Sequence, residues 1–232
     1  MPIDHGELPQ GEEKVAAVRS MFDSIAPRYD LVNRIMTFGL DIRWRRRAVR
    51  DLNLPAHATV IDLACGTGDF CRVLQKASYL PIGFDISYGM LTAARTDAPL
   101  VHGDILHLPI PATSVDGATC GYALRNVVDL DAFFAELART VRPGGRISLL
   151  DVSEPPNRII RFGHKIYFGK VVPFIGGLLS DRKAYAYLPR SVAYLPQPSE
   201  MVRMLTAQGF DDVKHAQLTG GLSQLLTATR SK

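Results

Sequence analysis

Three aspartates lie at the ends of short apolar runs, about twenty residues apart along the chain: Asp62, Asp85 and Asp104. After Asp62 comes the turn Gly66–Gly68, whose glycines permit a positive φ and let the backbone approach a ligand closely. An acidic side chain about 20 residues beyond such a turn, the position of Asp85, can accept hydrogen bonds from both hydroxyls of a ribose. Asp104 is placed to accept from the exocyclic amine of an adenine, with Ile105 covering the ring. The spacing therefore predicts a nucleoside ligand.

The glycine-rich turn lacks the sequence features of phosphate-binding loops. A dinucleotide-binding turn, G-x-G-x-x-G, carries a third glycine where this chain has Cys71. A P-loop carries a lysine after its last glycine, and none follows Gly68 here. A ligand with a ribose, an adenine, a positive charge near Asp62 and no phosphate is S-adenosylmethionine, which we predict as the cofactor. The predicted cofactor-binding residues are Asp62, Gly66, Thr67, Gly68, Asp85, Ile86, Asp104, Ile105 and Gly121.

From residue 58 onward, short apolar runs alternate with amphipathic helical segments. This order predicts βαβ units and an α/β fold, a doubly wound parallel sheet with helices on both faces that two closing strands complete to seven strands. The predicted strands are Thr59–Leu63, Leu80–Phe84, Leu100–His102, Val115–Cys120, Arg146–Asp151 and two closing strands near Asp212–Gln217 and Leu222–Arg230. The predicted helices are Asp69–Ala77, Ser87–Arg95, Leu130–Val141 and one that Ser199 caps and that runs to Gln208.

Helical periodicity also precedes the sheet. One helix begins near Glu12, a second covers Leu31–Phe38 with Gly39 as its stop, and a third, Ile42–Leu52, is capped by Asp41. After residue 155 the pattern becomes irregular and rich in apolar residues. We predict a single domain, 1–232, in which residues 12–52 form helices ahead of the sheet and residues 155–198 form an insertion.

Composition excludes several classes of protein. With 47% hydrophobic and 22% charged residues, the 232-residue chain is typical of a globular protein and not of a disordered or collagen-like one. Its net charge of +4 is too small to indicate nucleic acid by itself. The three cysteines form no C-x-x-C pair, and the acidic amino terminus has no apolar run. Because there is also no stretch of about 18 apolar residues, we expect a cytoplasmic protein with free thiols.

Several longer motifs resemble those of one family. They are Met21–Asn33 with its continuation Gly39–Arg45, Tyr122–Val127, Arg142–Arg146, Ser153–Asn157, Tyr185–Ser191 and Leu218–Gly221. From about Val18 to Gly221, these stretches are similar to the ubiquinone/menaquinone biosynthesis C-methyltransferase family, whose members depend on S-adenosylmethionine. The resemblance implies a Rossmann-like methyltransferase sheet with an N-terminal helical cap and a helical lid after the fifth strand.

The resemblance further implies methylation of a ring carbon on a reduced, prenylated quinone, such as demethylmenaquinol or a close benzoquinol. A ring carbon becomes a good nucleophile when the neighbouring hydroxyl loses its proton. Because an arginine stays protonated, Arg125 is expected to hold the phenolate oxygen, with Asn126 orienting it. Tyr29, Asp30 and Asn33 are expected to face the same pocket, with Asp30 as the proton acceptor.

The chain departs from the family pattern at two positions that are expected to line the acceptor pocket. Gly121 stands in place of a serine, and Leu226 stands in place of a histidine. A methyltransferase for another small aromatic or lipid acceptor is therefore an alternative, as is a cofactor-binding accessory protein without activity. Nucleic acid is excluded as a partner, because Gly121–Leu124 replaces the Asn-Pro-Pro-Tyr-like turn that nucleic-acid methylation predicts after the fourth strand.

Simpler interpretations of the candidate residues stay open at this point. Taken without the resemblance, Arg125-Asn126 and Tyr29-Asp30 are equally well explained as residues that begin helices or cap them. His102 and His107 flank Asp104, and histidine and aspartate are residue types that bind metal ions. We expect no metal there, because nothing in the methylation chemistry requires one.

Two stretches bear on how a membrane-soluble acceptor is reached. Residues 159–172 mix cations with large apolar side chains, as helices at membrane interfaces do. Five arginines between Arg43 and Arg50 add a positive helix that anionic lipids attract. A prenylated quinol lies in the bilayer, so we expect peripheral contact with the inner face of the membrane, with an ordinary lid over the acceptor pocket as the alternative. The oligomeric state is open, and a homodimer is compatible with the sequence.

Overall fold

A computed structural model describes residues 10–179, 184, 187 and 190–231 of the chain. Parts of the Tyr185–Ser191 motif and of the predicted lid lie outside these residues. The strands described are β1 (Thr59–Leu63), β2 (Leu80–Asp85), β3 (Leu100–His102), β4 (Val115–Gly121), β5 (Val141–Val152), β6 (Phe210–Leu218) and β7 (Ser223–Arg230). The α-helices described are α1 (Gly11–Ile25), α2 (Tyr29–Met36), α3 (Leu40–Leu52), α4 (Asp69–Lys76), α5 (Tyr88–Thr92), α6 (Leu130–Thr140), α7 (Arg158–Ile166), α8 (Val172–Leu179) and α9 (Pro198–Ala207).

The seven strands form one sheet in the order β3-β2-β1-β4-β5-β7-β6. Strands β1 to β5 pair in parallel, and β1 is buried from Val60 to Leu63, as strands covered on both faces are. Strand β7 runs antiparallel to both β5 and β6. The short turn Thr219–Gly221 joins β6 to β7, and so short a connection makes a hairpin instead of a crossover. The parallel pairing predicted for the βαβ units is confirmed for β1 to β5, and the two closing strands complete the sheet in antiparallel pairing.

Helices cover both faces of the sheet, which confirms the predicted seven-stranded, Rossmann-like fold. One face is covered by α6 and α9, whose Phe133 and Met201 are fully buried. The other face is covered by α3 and α4, which bury Leu52 and Leu74. Leu226 of β7 is fully buried in the first of these two clusters. The expectation that Leu226 lines the acceptor pocket is therefore wrong.

The helices that precede the sheet are fastened to the loops at the carboxyl ends of its strands. Asp23 of α1 accepts hydrogen bonds from Ser87 Oγ (2.6 Å) and from the backbone N–H of Gly89 (2.8 Å). Lys14 Nζ donates to the carbonyl of Val127 (3.1 Å), and burial lowers the pKa of Lys14 to about 8. A third apolar cluster joins α1 and α2 to α8. These contacts hold α1 over the edge of the sheet where ligands bind in open α/β folds.

The structure corrects three predicted helix boundaries. Helix α2 ends at Met36 and not at Phe38; Gly39, whose φ of 71° suits a glycine, immediately precedes α3, and its backbone N–H donates to the carbonyl of Arg34 (2.9 Å) in the last turn of α2. Asp41 lies within the first turn of α3, where its carboxylate accepts from Thr37 Oγ1 (2.8 Å) and pairs with Arg45 (2.5 Å). Ser199 lies within the first turn of α9, which begins at a proline, a residue that suits that position.

The arginines of α3 form a less positive surface than the sequence suggests. Arg45 is buried among acidic side chains, with 5% of its surface exposed. Arg47 and Arg50 both contact Asp51, at 2.6 Å and 3.7 Å. In the described part of the chain, no helix is both long enough and apolar enough to cross a bilayer.

Candidate active site

A cavity lies where the carboxyl ends of β1, β2 and β4 meet, and α1 covers its outer side. Strand order reverses at this point, which is where open α/β sheets bind ligands. Gly68 does not line the cavity: it precedes α4 with a φ of 80°, and a Cβ there would lie 2.5 Å from the side chain of Thr96. The cavity is lined by the other eight predicted cofactor residues, namely Asp62, Gly66, Thr67, Asp85, Ile86, Asp104, Ile105 and Gly121.

Asp85 holds the glycine turn in position. Its Oδ2 accepts from the backbone N–H of Gly66 (2.7 Å), and its Oδ1 accepts from that of Ser87 (2.8 Å). Burial raises the pKa of Asp85, and the same two N–H groups oppose that rise. Since a carboxylate oxygen has two lone pairs, the hydroxyls of a bound ribose would share Asp85 with these backbone amides.

Asp62 is buried beneath the glycine turn, with 1% of its surface exposed. Thr119 Oγ1 donates to its Oδ1 (2.8 Å), and Cys71 Sγ lies 3.6 Å from its Oδ2. Burial raises the pKa of Asp62 to about 7, and the hydrogen bonds from Thr119 and Cys71 oppose the rise. The thiol of Cys71 therefore supports Asp62 at the position where a dinucleotide-binding turn has its third glycine.

The rest of this cavity suits an adenine. Asp104 lies partly exposed at its rim, where its Oδ1 accepts from the backbone N–H of Leu106 (2.9 Å), and Ile86 and Ile105 supply apolar wall. The wall has a glycine turn, no lysine and four carboxylates against two arginines, which fits a nucleoside with a positive charge and no phosphate, as S-adenosylmethionine is; these residues are Asp62, Asp69, Asp85 and Asp104, with Arg19 and Arg45. His102 contacts the carbonyl of Ile86 (3.0 Å). Among the described residues, no group of three or more His, Cys, Asp and Glu is placed to hold a metal ion.

A second cavity adjoins the first, and Tyr29, Arg45 and Tyr122 line both. Its wall is mostly apolar and aromatic, and α2, α3 and α7 contribute to it. The polar side chains that line only this second cavity include Asn33, Thr37, Asp41, Arg125 and His164. A cofactor in the first cavity and an apolar ring in the second would meet beside the three shared residues. The arrangement therefore suits transfer of a group from one to the other.

Arg125 is fixed in the wall of the second cavity by a buried ion pair. Only 4% of its surface is exposed, and its guanidinium pairs with Asp151 near the end of β5. Its Nη1 also donates to the carbonyl of Tyr122 (2.7 Å), and its Nε donates to Ser191 Oγ (3.1 Å). Sequence reasoning missed Asp151, although an acidic residue at the end of a buried strand is the signal that identified Asp62 and Asp85.

The other predicted residues are divided between the cavities. Asn126 lines the first cavity and not the second, and its Oδ1 accepts from the hydroxyl of Tyr187 (3.3 Å). Tyr29 lines both, and burial raises the pKa of its hydroxyl against the effect of two nearby arginines. Gly121 lines only the cofactor cavity of the two, which corrects its expected place in the acceptor pocket. A Cβ at Gly121 would lie 2.4 Å from the ring of Phe70, so the bulk of Phe70 requires the glycine.

Asp30 lines neither cavity. Its Oδ1 accepts from Thr67 Oγ1 (2.5 Å), and its Oδ2 lies 3.8 Å from Arg72 Nη2. The carboxylate of Asp30 thus makes its contacts with the glycine turn and the helix that follows it. This geometry does not support the expected role of Asp30 as the proton acceptor. Its position instead fastens α2 to the glycine turn.

Arg45, which sequence reasoning did not single out, lies at the junction of the two cavities. It pairs with Asp41 within α3 and lies 3.5 Å from Asp69 at the start of α4. Its guanidinium stands 5.2 Å from the centre of the Tyr122 ring. Asp69 also pairs with Arg34 of α2 (3.0 Å). The i,i+4 spacing of Asp41 and Arg45 was the available signal, since such pairs meet on one helix face.

The fold and the cofactor cavity together define a class of protein, the Rossmann-like, S-adenosylmethionine-dependent methyltransferases. An S-adenosylmethionine-dependent methyltransferase from Mesorhizobium loti has the same fold, with a TM-score of 0.57 and 20% identity over 79% of this chain and 96% of that one. Phosphoethanolamine N-methyltransferase 2 of Haemonchus contortus, in complex with S-adenosylmethionine, gives a TM-score of 0.61 at 12% identity, covering 82% and 53%. At such low identity the likeness concerns the fold alone.

Sequence comparison then gives the family. Residues 9–230 match the ubiE/COQ5 methyltransferase family, and the chain belongs to it. It is 40% identical to the ubiquinone/menaquinone biosynthesis C-methyltransferase UbiE of Syntrophotalea carbinolica, over 92% of this chain and 94% of that protein. It is 39% identical to the demethylmenaquinone methyltransferase of Thermus thermophilus, over 90% of this chain and 100% of that protein. The family expected from the motifs is confirmed.

Proposed function

We propose that this protein methylates a ring carbon of a reduced, prenylated quinone, converting demethylmenaquinol to menaquinol with S-adenosylmethionine as the methyl donor. The observation that carries the proposal is the second cavity, whose apolar and aromatic wall adjoins the cofactor cavity. The shared residues Tyr29, Arg45 and Tyr122 mark where the two bound molecules would meet. Relatives that are 35% to 40% identical and named for quinone methylation support the same reaction.

The bound cofactor supplies a methyl group on a positively charged sulfur, and the residues of this chain orient and activate the acceptor. Arg125, held by Asp151, presents a fixed positive charge that stabilises the oxygen anion next to the methylated carbon. Tyr29 and Tyr122 are neutral donors at the junction and orient the ring toward the methyl group. Asn126 stabilises the turn that contains Arg125, through its hydrogen bond with Tyr187.

The reaction is tested with labelled S-adenosylmethionine and a panel of reduced, demethylated naphthoquinols and benzoquinols. We expect label in demethylmenaquinol. No label in any quinol, from protein that binds the cofactor, would refute the proposal. Label in another small aromatic or lipid acceptor instead would favour the alternative acceptor class.

The role of Arg125 is tested by Arg125→Lys, which keeps the charge but loses the forked geometry that pairs with Asp151. We expect kcat to fall at least about tenfold, which is less than the roughly 100-fold that removal of a stabilising donor costs, because lysine keeps the positive charge. Arg142→Lys is the matched control, because the half-exposed Arg142 also pairs with a carboxylate, that of Asp116 (2.8 Å), and lines neither cavity. Turnover equal to wild type in both Arg125→Lys and Arg125→Ala would exclude the role.

The lid is also proposed to dock on a bilayer surface that contains anionic lipids. No residue of α7 is buried, and Ile159 and Phe162 are 83% and 68% exposed. Ile160 and His164 of the same helix line the second cavity, so α7 separates that cavity from the surroundings. Lys165, 70% exposed on α7, adds positive charge beside the apolar side chains. An apolar face with interleaved cations suits a bilayer interface, where a prenylated acceptor resides.

Docking is tested by sedimentation with phosphatidylcholine vesicles, with and without phosphatidylglycerol, at low and high salt. We expect binding to the anionic vesicles that weakens with salt and is lost in Ile159→Asp/Phe162→Asp. The matched control is Leu80→Asp, since Leu80 is 53% exposed at the opposite, amino end of the strands. Equal binding by both variants would contradict the proposal. Concentration-dependent dimerisation that only the double variant loses, without vesicle binding, would assign the face to a second copy of the chain.

A further inference from the structure

Three buried side-chain atoms make no hydrogen bond within the described residues: Tyr122 Oη, Arg146 Nε and His164 Nε2. Two of these three residues, Tyr122 and His164, line the second cavity. A buried polar atom without a partner costs free energy, so atoms of this kind gathered on one cavity indicate groups that a ligand satisfies. Tyr122 also adopts a φ of 62°, which is unusual for a residue with a side chain.

His164 is the group of this cavity with the properties of a base. Its ring packs on that of Phe168, with 4.3 Å between the ring centres, and both residues line the cavity. Burial lowers the pKa of His164, and the charge of Glu154 opposes that shift only in part. The imidazole is therefore neutral near pH 7. Arg161 and Lys165 lie on the same helix as His164, and both contact Glu154.

The other titratable groups that line the second cavity are unsuited to accept a proton. Asp41 is held by Arg45 and by the hydroxyl of Thr37. Arg45 and Arg125 stay protonated. The tyrosines Tyr29, Tyr122 and Tyr167 have a pKa that burial raises further, so they remain neutral donors.

We propose that His164 Nε2 is the base that takes the proton from the acceptor hydroxyl next to the methylated carbon. In this step the O–H bond breaks, an N–H bond forms on Nε2, and the electron pair stays on oxygen, where Arg125 stabilises it. The ring carbon can then form a bond to the methyl group while the methyl–sulfur bond breaks and its electron pair stays on sulfur, which leaves S-adenosylhomocysteine. The ring carbon next loses its own proton to water, and the electron pair of that C–H bond returns to the ring and the oxygen, to which His164 gives back its proton. This inference rests on the proposed function.

The experiment compares His164→Gln with wild type at saturating S-adenosylmethionine, which removes any effect of Asp62 on cofactor binding. Glutamine keeps a hydrogen-bonding side chain but cannot take up a proton at neutral pH. We expect kcat to fall about 100-fold or more, the size of a general-base contribution, with KM for the quinol within about threefold. In wild type, kcat/KM for the quinol decreases below pH 6.5, and this acid limb is absent from the variant.

The matched control is His57→Gln, because His57 is an exposed histidine before β1, at the end of the sheet opposite the cavities. It is expected to keep the activity and the pH profile of wild type. Equal thermal midpoints for His164→Gln and wild type show that the variant is folded. A kcat for His164→Gln within threefold of wild type, or an unchanged acid limb, would overturn the assignment.

A binding readout keeps this inference separate from the proposed function. The Kd of 4-methoxy-1-naphthol, which has one hydroxyl to donate, is measured between pH 5 and 8 in both proteins. We expect tighter binding as pH rises through the titration of His164 in wild type only, and no such step with 1,4-dimethoxynaphthalene. If wild type methylates no quinol, the proposed function fails. The change in the Kd of 4-methoxy-1-naphthol with pH then decides by itself whether His164 acts as a base. Identical pH dependence in both proteins would exclude it.

Discussion

The cofactor-free protein is expected to lose stability as the pH rises, and the substitution Asp62→Asn is expected to abolish this loss. The pKa of Asp62 is about 7 in the folded protein, against an ordinary value of 3.8, and burial is the main cause. Between these two values the folded protein holds a proton that the unfolded chain has released. Stability from this source is therefore present at low pH and is lost as the pH rises through 7.

The size of the effect follows from the difference between the two pKa values. One pKa unit corresponds to about 1.4 kcal/mol, so raising the pH from 5 to 8 should cost wild type about 2–3 kcal/mol of unfolding free energy through Asp62. For a chain of this length that is roughly 5–10 °C in Tm. Asp85 shifts in the same direction and is present in both proteins, so the comparison isolates the effect of Asp62 together with its charge interaction with Asp85.

The assay is calorimetry of the cofactor-free proteins at pH 5 and pH 8. Asp97→Asn, at an exposed position, is the control and should respond to pH as wild type does. Because a cationic ligand favours the ionised carboxylate, S-adenosylmethionine should bind wild type more tightly as the pH rises through 7, and Asp62→Asn should lack this dependence. The same change of Tm with pH in wild type and Asp62→Asn would refute the reasoning.

Three further substitutions test the described packing. Gly121→Ala should lower the unfolding free energy measured in urea by about 1–3 kcal/mol through overpacking, and Phe70→Leu should restore part of it; no recovery in the double variant would exclude this contact as the cause. Leu226→His should cost at least about 2 kcal/mol by burying a polar ring, while KM for the quinol, measured on the folded protein, stays within twofold. Asp151→Asn should cost about 3–5 kcal/mol, because it leaves Arg125 buried without its ion-pair partner, and a midpoint equal to wild type in thermal unfolding would contradict this.

Much of the sheet and of the cofactor cavity could be predicted from the sequence, because both depend on local signals. Strands Thr59–Leu63 and Leu100–His102 have the predicted bounds, since apolar runs between turns are unambiguous. The side chains that follow parallel strands must meet at one edge, so Asp62 and Asp85 fall together as the spacing indicated. The start of β5 was missed: it begins at Val141, and the Pro143–Gly145 segment lies within it beside a shift in register.

The acceptor side was predicted less well, because its residues are selected by tertiary contacts. Asp30 and Asn33 are neighbours on α2, yet the first turns to Thr67 and the second to the cavity. The sequence around His164 predicts only an apolar helix with cations. It does not indicate which face of that helix lines a cavity. Leu226 was misplaced because strand pairing, with Leu149 on one side and His215 on the other, sets its burial.

The carboxylate of Asp69 connects the elements that line the two cavities. Asp69 is the first residue of α4 and directly follows the glycine turn. Arg34 of α2, Arg45 of α3 and Arg72 of α4 all pair with it. Helices that form the wall of the acceptor cavity are thereby tied to the turn that approaches the cofactor, and Arg45 itself lines both cavities. A substitution at Asp69 must therefore disturb cofactor and acceptor binding together. A substitution on α7, such as at His164, leaves this network intact and acts on the acceptor alone.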